Sequence, residues 1–430
     1  MNVIITNGFG LTANVGDHAL LTATVNLVRS ALPAARISVL PWQIPSAAMQ
    51  SSFARLTASF TSVELLDAML PANSVGRGFP HSSPIERARI IAWTAGVNLK
   101  AEVQARVPAL AGKGSPFEAI QQADLVILRG CNIVQRGRDL RTVATIRRVT
   151  FPIAVAKRAG RQIALLNISV GPVQHPIASS MVKSILKNAD YVSTREPFSD
   201  EYLRDFARCS PISSADSAFA FPYIQKDADS YDPMLLGVNL LSMGEYLTAV
   251  RNSGQTYEYV MQRMAAELNE LMTRVPALKV LAIPHEMDIV PLTSDLVSLR
   301  DLVSRLEHPE RVQIMDSAND PLSVIRAYER CALSLGMRFH GYVLASLATT
   351  PVLGIDLDSR KVSGIAKALG MSEWMIKLED NRALVEQVGQ ALQNTHELRT
   401  VIAERCASLR NKVFDNFAAY ARSLAPTIAR

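Results

Sequence analysis

The chain has 430 residues, 48% apolar and 20% charged, with a formal charge of +6; that is more than one ordinary domain and enough for two with real cores. No apolar run reaches the about 18 residues that a membrane-crossing helix needs. The chain opens on a strand-like NVIITN instead of a basic and then apolar leader, so the expected compartment is the cytosol. The basic balance suits anionic partners, but the cations are scattered and aromatics make up only 6%; nucleic acid, which needs basic runs interleaved with aromatics, is not expected. Cys131, Cys209, Cys331 and Cys406 are far apart and the seven histidines form no H-E-x-x-H, so neither a disulfide framework nor a metal site is expected.

Apolar runs alternate with amphipathic stretches along the chain, the pattern of βαβ units in an α/β fold with parallel sheets. In the first half, strands are predicted at 2–6, 36–40, 123–128, 162–169 and 191–194, and helices at 17–29, 141–158 and 177–187. Segments 45–62 and 71–84 are weakly patterned, the latter an exposed loop. The polar stretch PYIQKDADSYDP at 222–233 marks a seam near residue 230, giving an N-terminal domain 1–230 and a C-terminal domain 231–430. The second half predicts strands at 235–240, 279–284, 312–315, 331–335 and 351–355, with helices at 257–274, 295–306 and 321–330. A last helical pattern spans 398–424, closed by Pro426, with Val413, Phe414, Phe417, Tyr420 and Leu424 on one face. Packing back on the protein is its expected role; Arg405, Arg410, Lys412 and Arg422 make a membrane-surface helix the alternative.

The richest stretch is 332–361, ALSLGMRFHGYVLASLATTPVLGIDLDSRK. It sets Arg338 and His340 at a strand-to-helix turn, where open α/β sheets place their ligands. Arg offers a fork of donors to phosphate or carboxylate, and His exchanges protons near neutral pH. Asp356, Asp358, Arg360 and Lys361 crowd the end of the following strand. In the first half, residues 7–20 carry three glycines before a helix, a spacing that is neither the dinucleotide fingerprint nor a Walker loop, so NAD and ATP are not expected. Asp17 fits either a helix start or a sugar hydroxyl. Arg129 and Asn132 (RGCN) and Ser169 (NISVGP) end strands and are candidates for an acceptor, whereas Arg195 fits an ion pair as well as a ligand.

Several of these segments together resemble the polysaccharide pyruvyl transferase family. Its N-x-G-D-x-A pattern is matched by Asn14, Gly16, Asp17 and Ala19, and its S-x-G-P turn by 169–172. Arg195, Glu196 and Ser199 match R-[ED]-x-x-S, and 216–219 match D-x-A-F. Pro284, His285 and Asp288 match its P-H followed by D; Arg338 and His340, with 358–361 downstream, match R-x-H. Where the family commonly has G-G-G, this chain has Arg129, Gly130 and Cys131, so the departure concerns the acceptor side.

The resemblance implies two Rossmann-like domains in a GT-B-like arrangement with a cleft between them. It further implies transfer of pyruvate from phosphoenolpyruvate to a sugar of an exopolysaccharide or other envelope glycan precursor, as a ketal. Under that reading Arg338, Lys361 and His285 bind the donor, with Arg338 stabilising the departing phosphate and His340 acting as general acid or base. Asn14, Asp17, Arg129, Asn132, Ser169 and Asp288 fall to the acceptor, and no cofactor or metal is expected. A lipid-linked acceptor, peripheral association with the inner face of the cell membrane and a homo-oligomer are open alternatives. Two other functions share the pattern of elements: a GT-B glycosyltransferase using a nucleotide sugar, and a glycan-binding protein without turnover.

Overall fold

The computed structural model describes residues 1–6, 14–41, 63–69, 96, 99–107, 110, 112–135, 140–223, 230–249, 256–287, 294–316, 320–356, 360–377 and 383–428. The weakly patterned segments 45–62 and 71–84, together with Asp288 and Asp358, lie outside them. Two compact units divide the chain. The first holds Met1–Leu11, Leu20–Ser217 and Phe414–Arg430, and the second Thr12–Ala19 and Ala218–Val413. The sequence reading sets one boundary near 230 and two continuous domains; in the structure the change falls after Ser217, Thr12–Ala19 joins the second unit and Phe414–Arg430 the first.

The first unit contains β1 (Asn2–Thr6), most of α1 (Val15–Ala31), β2 (Arg36–Leu40), β3 (Val63–Leu65), α2 (Pro116–Gln122), β4 (Leu125–Leu128), β5 (Asn132–Gln135), α3 (Leu140–Arg158), β6 (Gln162–Val173), α4 (Pro176–Asn188), β7 (Tyr191–Thr194), α5 (Pro197–Ala207) and β8 (Ile212–Ser213). Its strands run in the order β3-β2-β1-β4-β6-β7-β8, all parallel, with β5 paired to β6. The central strands are largely apolar and buried on both faces, as all four residues of LVIL in β4 are; parallel sheets covered by helices on both sides require this. The strand predicted at 162–169 continues to Val173, and its upper half pairs with β5.

The second unit contains β9 (Asp232–Asn239), α6 (Met243–Ala249), α7 (Tyr257–Arg274), β10 (Lys279–Ala282), α8 (Asp295–Ser304), β11 (Val312–Ile314), α9 (Pro321–Glu329), β12 (Cys331–Gly336), α10 (Phe339–Leu347), β13 (Val352–Asp356), α11 (Arg360–Ala368), β14 (Met375–Lys377), α12 (Ala383–Gln393) and most of α13 (Thr395–Ile428). Its strand order is β11-β10-β9-β12-β13-β14, again parallel. The chain moves outward from β9 in one direction, then crosses back to β12 and moves outward in the other. The carboxyl ends of β9 and β12 therefore flank the switch point where such sheets receive ligands.

The final helix settles its two sequence alternatives. Val413, Phe417 and Leu424 are buried, and Tyr420 stacks on Tyr191 with ring centroids 4.5 Å apart. Within the second unit Arg410 donates to the carbonyl of Phe221 at 2.9 Å. The apolar face of α13 is thus spent on packing and does not lie on a membrane. Among the described residues no helix is long and apolar enough to cross a membrane.

Candidate active site at the switch point of the second unit

β9 ends on Asn239, a fully buried amide that organises the strand-to-helix turn carrying Arg338 and His340. Its Oδ1 accepts the backbone N–H groups of Met337 and Arg338 at 3.2 and 3.1 Å, and its Nδ2 donates to the Tyr328 hydroxyl at 3.0 Å. The turn can approach so closely because residue 341 is glycine: a Cβ there would lie 2.7 Å from Asn239 Nδ2. Tyr328 accepts from Asn239, so its own proton can go to His285 Nε2, 2.6 Å away. His285 has no exposed surface, and burial first, with Arg338 and His340 adding to it, pushes its imidazole well below the ordinary range. It is therefore a neutral core residue holding Tyr328, and does not occupy the donor-contacting position expected for it.

Arg338 caps the start of α10 and is 7% exposed. Its Nε donates to Asp295 Oδ2 at 2.6 Å and its Nη2 to Asp295 Oδ1, a two-pronged pair. Glu245 receives Nη2 on one oxygen and Nη1 at 3.4 Å on the other, and Glu286 Oε2 stands 3.6 Å from Nη2. Burial works against the charge, but the three carboxylates outweigh it and hold the guanidinium protonated above its ordinary range. The fork expected to grip a donor phosphate is thus committed to carboxylates of its own chain. Asp295, fully buried at the start of α8, also accepts the backbone N–H groups of His285 and Glu286 at 2.9 and 3.0 Å. Burial raises its pKa, and Arg338 opposes the rise.

One cation among three carboxylates leaves an excess of negative charge, and Glu286 carries the consequence. Its side chain is 6% exposed, and burial first, then Glu245 and Asp295, raise its pKa from 4.5 to about 7 against the pull of Arg338. A carboxyl that exchanges its proton near neutrality is suited to general acid or base work. Sequence reading singled out Pro284, His285 and Asp288 and passed over the Glu between them. The available signal was its position four residues past the carboxyl end of β10, on the ligand-bearing edge of the sheet.

The first turn of α1 belongs to this site. Asn14 pairs with Glu286 in an antiparallel bridge, the Val15 N–H donates to the His285 carbonyl at 2.8 Å, and Asn14 Nδ2 donates to Glu286 Oε2 at 3.3 Å. Asn14 Oδ1 meanwhile accepts the Gly16 N–H at 2.9 Å, capping α1. A Cβ at Gly16 would fall 2.2 Å from His340 Nδ1 and 2.9 Å from His340 Cβ, so the imidazole lies directly against the helix backbone. Asn14, Glu286, Arg338 and His340 are thereby brought together from three distant stretches of sequence. Asp17, half-buried, sits in the same first turn of α1. Lys361 is the second residue of α11, and nothing further is described of its side chain. Among the described residues no three His, Cys, Asp or Glu side chains are arranged to hold a metal.

The remaining predicted residues belong to the first unit. Ser169 is fully buried and its Oγ accepts from Arg195 Nε at 2.6 Å. Arg195 pairs with Asp216 at 2.8 Å and Glu196 at 3.4 Å, while Ser199 Oγ donates to Glu196 Oε1 at 2.6 Å. These residues form a closed internal network at the sheet edge, which is the ion-pair alternative for Arg195. Arg129 is 1% exposed just after β4, and of the three acceptor candidates here Asn132 alone is exposed.

The sequence matches the model of the family described as polysaccharide pyruvyl transferase over residues 14–359. The chain belongs to the polysaccharide pyruvyl transferase family. The match begins at Asn14, the residue that clamps Glu286, and runs past the R-x-H turn. No curated protein sequence matches the chain. Among solved structures, a UDP-glucosyltransferase from Polygonum tinctorium is 12% identical with a TM-score of 0.53, covering 99% of this chain and 98% of that one. The UDP-GlcNAc 2-epimerase from Neisseria meningitidis is 10% identical with a TM-score of 0.53, covering 94% of each chain. Trehalose-6-phosphate synthase OtsA is 9% identical with a TM-score of 0.56, covering 99% of each. At such identities the likeness shows the fold alone: this pyruvyl transferase family member has two Rossmann-like domains of the kind found in GT-B glycosyltransferases.

Proposed function

We propose that the chain transfers pyruvate from phosphoenolpyruvate to a sugar of an envelope polysaccharide precursor as a ketal, with the chemistry at the switch point of the second unit. The observation that carries this reading is the seating of the His340 imidazole against Gly16, two residues past the Asn14 that holds Glu286. Ketal formation requires a proton at C3 of the enol, capture of the cationic C2 by one sugar hydroxyl, and attack by a second as phosphate departs. His340 delivers or takes the proton at the reacting atoms, and Glu286, titrating near neutrality, exchanges protons with the acceptor hydroxyls. Arg338 acts through Asp295, Glu245 and Glu286 and is a positioning residue. The donor anion is drawn by the amino-terminal ends of α1 and α10 and by Lys361, since the carboxylates around Arg338 repel it. Asp17, Asp288 and Asn132 remain on the acceptor side of the proposal, no cofactor takes part, and the reaction is placed in the cytoplasm.

Thermal-shift titration and a phosphate-release assay test it. Phosphoenolpyruvate raises the melting temperature of the wild type and of His340→Ala, and the variant releases no phosphate in the presence of a glycan acceptor. Stabilisation by uridine diphosphate in place of phosphoenolpyruvate assigns the site to a nucleotide sugar and overturns the proposal.

A further inference from the structure

Three side chains of the second unit form one hydrogen-bonded rod that ends on the turn carrying His340. Asn239 closes β9, Tyr328 is the penultimate residue of α9, and His285 follows β10; none of the three has exposed surface. Residues 336–341, GMRFHG, are wound about the Asn239 amide. Its Oδ1 accepts two backbone N–H groups from inside this hexapeptide, and the glycines at both ends of it abut the same amide. A Cβ at Gly336 would lie 3.1 Å from Asn239 Nδ2, and one at Gly341 would lie 2.7 Å from Nδ2 and 2.9 Å from Oδ1. The other end of the rod is tied to α1. The His285 N–H donates to Asp295 Oδ2 at 2.9 Å, and the His285 carbonyl accepts the Val15 N–H at 2.8 Å. The next residue, Gly16, lies against the His340 ring. The rod therefore joins the turn that bears the imidazole to the helix on which the imidazole rests.

Donor and acceptor chemistry gives the rod a single direction. An oxygen must face the N–H groups of Met337 and Arg338, so the amide nitrogen of Asn239 faces Tyr328. That nitrogen can only donate, so the phenol oxygen accepts from it at 3.0 Å. The phenol proton then goes to the other partner of this hydroxyl among the described residues, His285 Nε2 at 2.6 Å. An accepting Nε2 places the proton of the neutral imidazole on Nδ1. Burial keeps both groups uncharged, raising the Tyr328 phenol well above its ordinary range and lowering His285. Hydrogen bonds fix direction as well as distance, which apolar packing around the turn would not do.

We propose that Asn239 and Tyr328 are positioning residues for His340, acting through this one-way rod, with His285 held as the tautomer protonated at Nδ1. Their role rests on the proton transfer proposed for His340. It is tested with the full chain, by nuclear magnetic resonance of protein labelled with nitrogen-15 histidine and by a phosphate-release assay. In the wild type the His285 Nε2 signal, assigned by its loss in His285→Gln, falls where unprotonated ring nitrogens resonate, and Nδ1 falls where N–H nitrogens do. Tyr328→Phe removes the phenol oxygen alone. The His340 ring signals then shift and kcat falls about a hundredfold, the cost of a small misplacement. The KM for phosphoenolpyruvate stays near the wild-type value, a split that general loss of fold would not give. Should Tyr328→Phe not fold, Asn239→Asp reads the same rod: the phenol donates to the carboxylate and the His285 proton moves from Nδ1 to Nε2. A wild-type His285 protonated at Nε2 overturns the proposal. So do unshifted His340 signals and wild-type kcat in a folded Tyr328→Phe, or an unmoved His285 proton in a folded Asn239→Asp. No phosphate release by the wild type overturns the donor assignment instead, and the spectra still decide on the rod.

Discussion

The carboxyl of Glu286 gives the sharpest test of the site, because its environment makes stability depend on pH in a direction opposite to that of most acids. The folded protein holds the Glu286 proton up to about pH 7, whereas the unfolded chain releases it near 4.5. Between those values the folded state binds more protons, so stability falls as pH rises. At 1.36 kcal/mol for each pKa unit, the full loss above pH 7 is about 3 kcal/mol. Glu286→Gln keeps the shape and the acceptor for Asn14 Nδ2 but does not titrate, so it removes this slope and stabilises the second unit above pH 7. Hydrogen exchange of peptides from β9, β10 and β12, corrected for the intrinsic rate at each pH, reads the opening energy of that unit. Wild type and variant should converge near pH 4.5 and diverge by about 3 kcal/mol at pH 8. Parallel curves would mean that Glu286 is ionised throughout, and the reasoning from one guanidinium among three carboxylates would fail.

Two further outcomes follow from the same geometry. Gly16→Ala drives a Cβ into the His340 ring; overpacking costs about 1–3 kcal/mol, and a displaced imidazole lowers phosphate release about a hundredfold. Removing the ring relieves the clash, so the pair Gly16→Ala with His340→Ala melts above Gly16→Ala alone; equal melting would show that the two residues do not meet. Arg338→Lys keeps one charge but cannot serve Asp295 with two donors while also reaching Glu245. It should cost about 3 kcal/mol or more, read as a lowered melting temperature; wild-type stability in that variant would show that the carboxylates do not depend on the guanidinium.

Elements whose side chains repeat at a strand or helix period were legible without coordinates. The strand at 36–40 and the helix at 257–274 match β2 and α7 residue for residue, because an apolar run bounded by turn residues, or a face repeating every 3.6 residues, carries its own signal. Three short strands did not: β5, β8 and β14 have four, two and three residues with no apolar run to mark them, and each pairs with a neighbouring strand. The R-x-H turn was visible because strand, glycine and helix adjoin in sequence. The acids that govern it were not, since Glu245, Glu286 and Asp295 follow or begin three separate elements with no shared spacing.

By itself, then, the order of residues set the alternation of strands and helices, the parallel sheets, and the placement of Arg338 and His340 at a ligand-bearing edge. The partners of those two residues were decided by the crossover from β11 through α9 to β12. That crossover returns the chain to the side of β9 and closes Asp295, Glu245 and Glu286 around the guanidinium, while the first turn of α1 meets the imidazole at Gly16. Electrostatics acts through space and not along the chain, so neither a proton held by Glu286 near pH 7 nor an Arg338 ion-paired with its own chain's carboxylates could be read until the sheet had brought the charges within reach of one another.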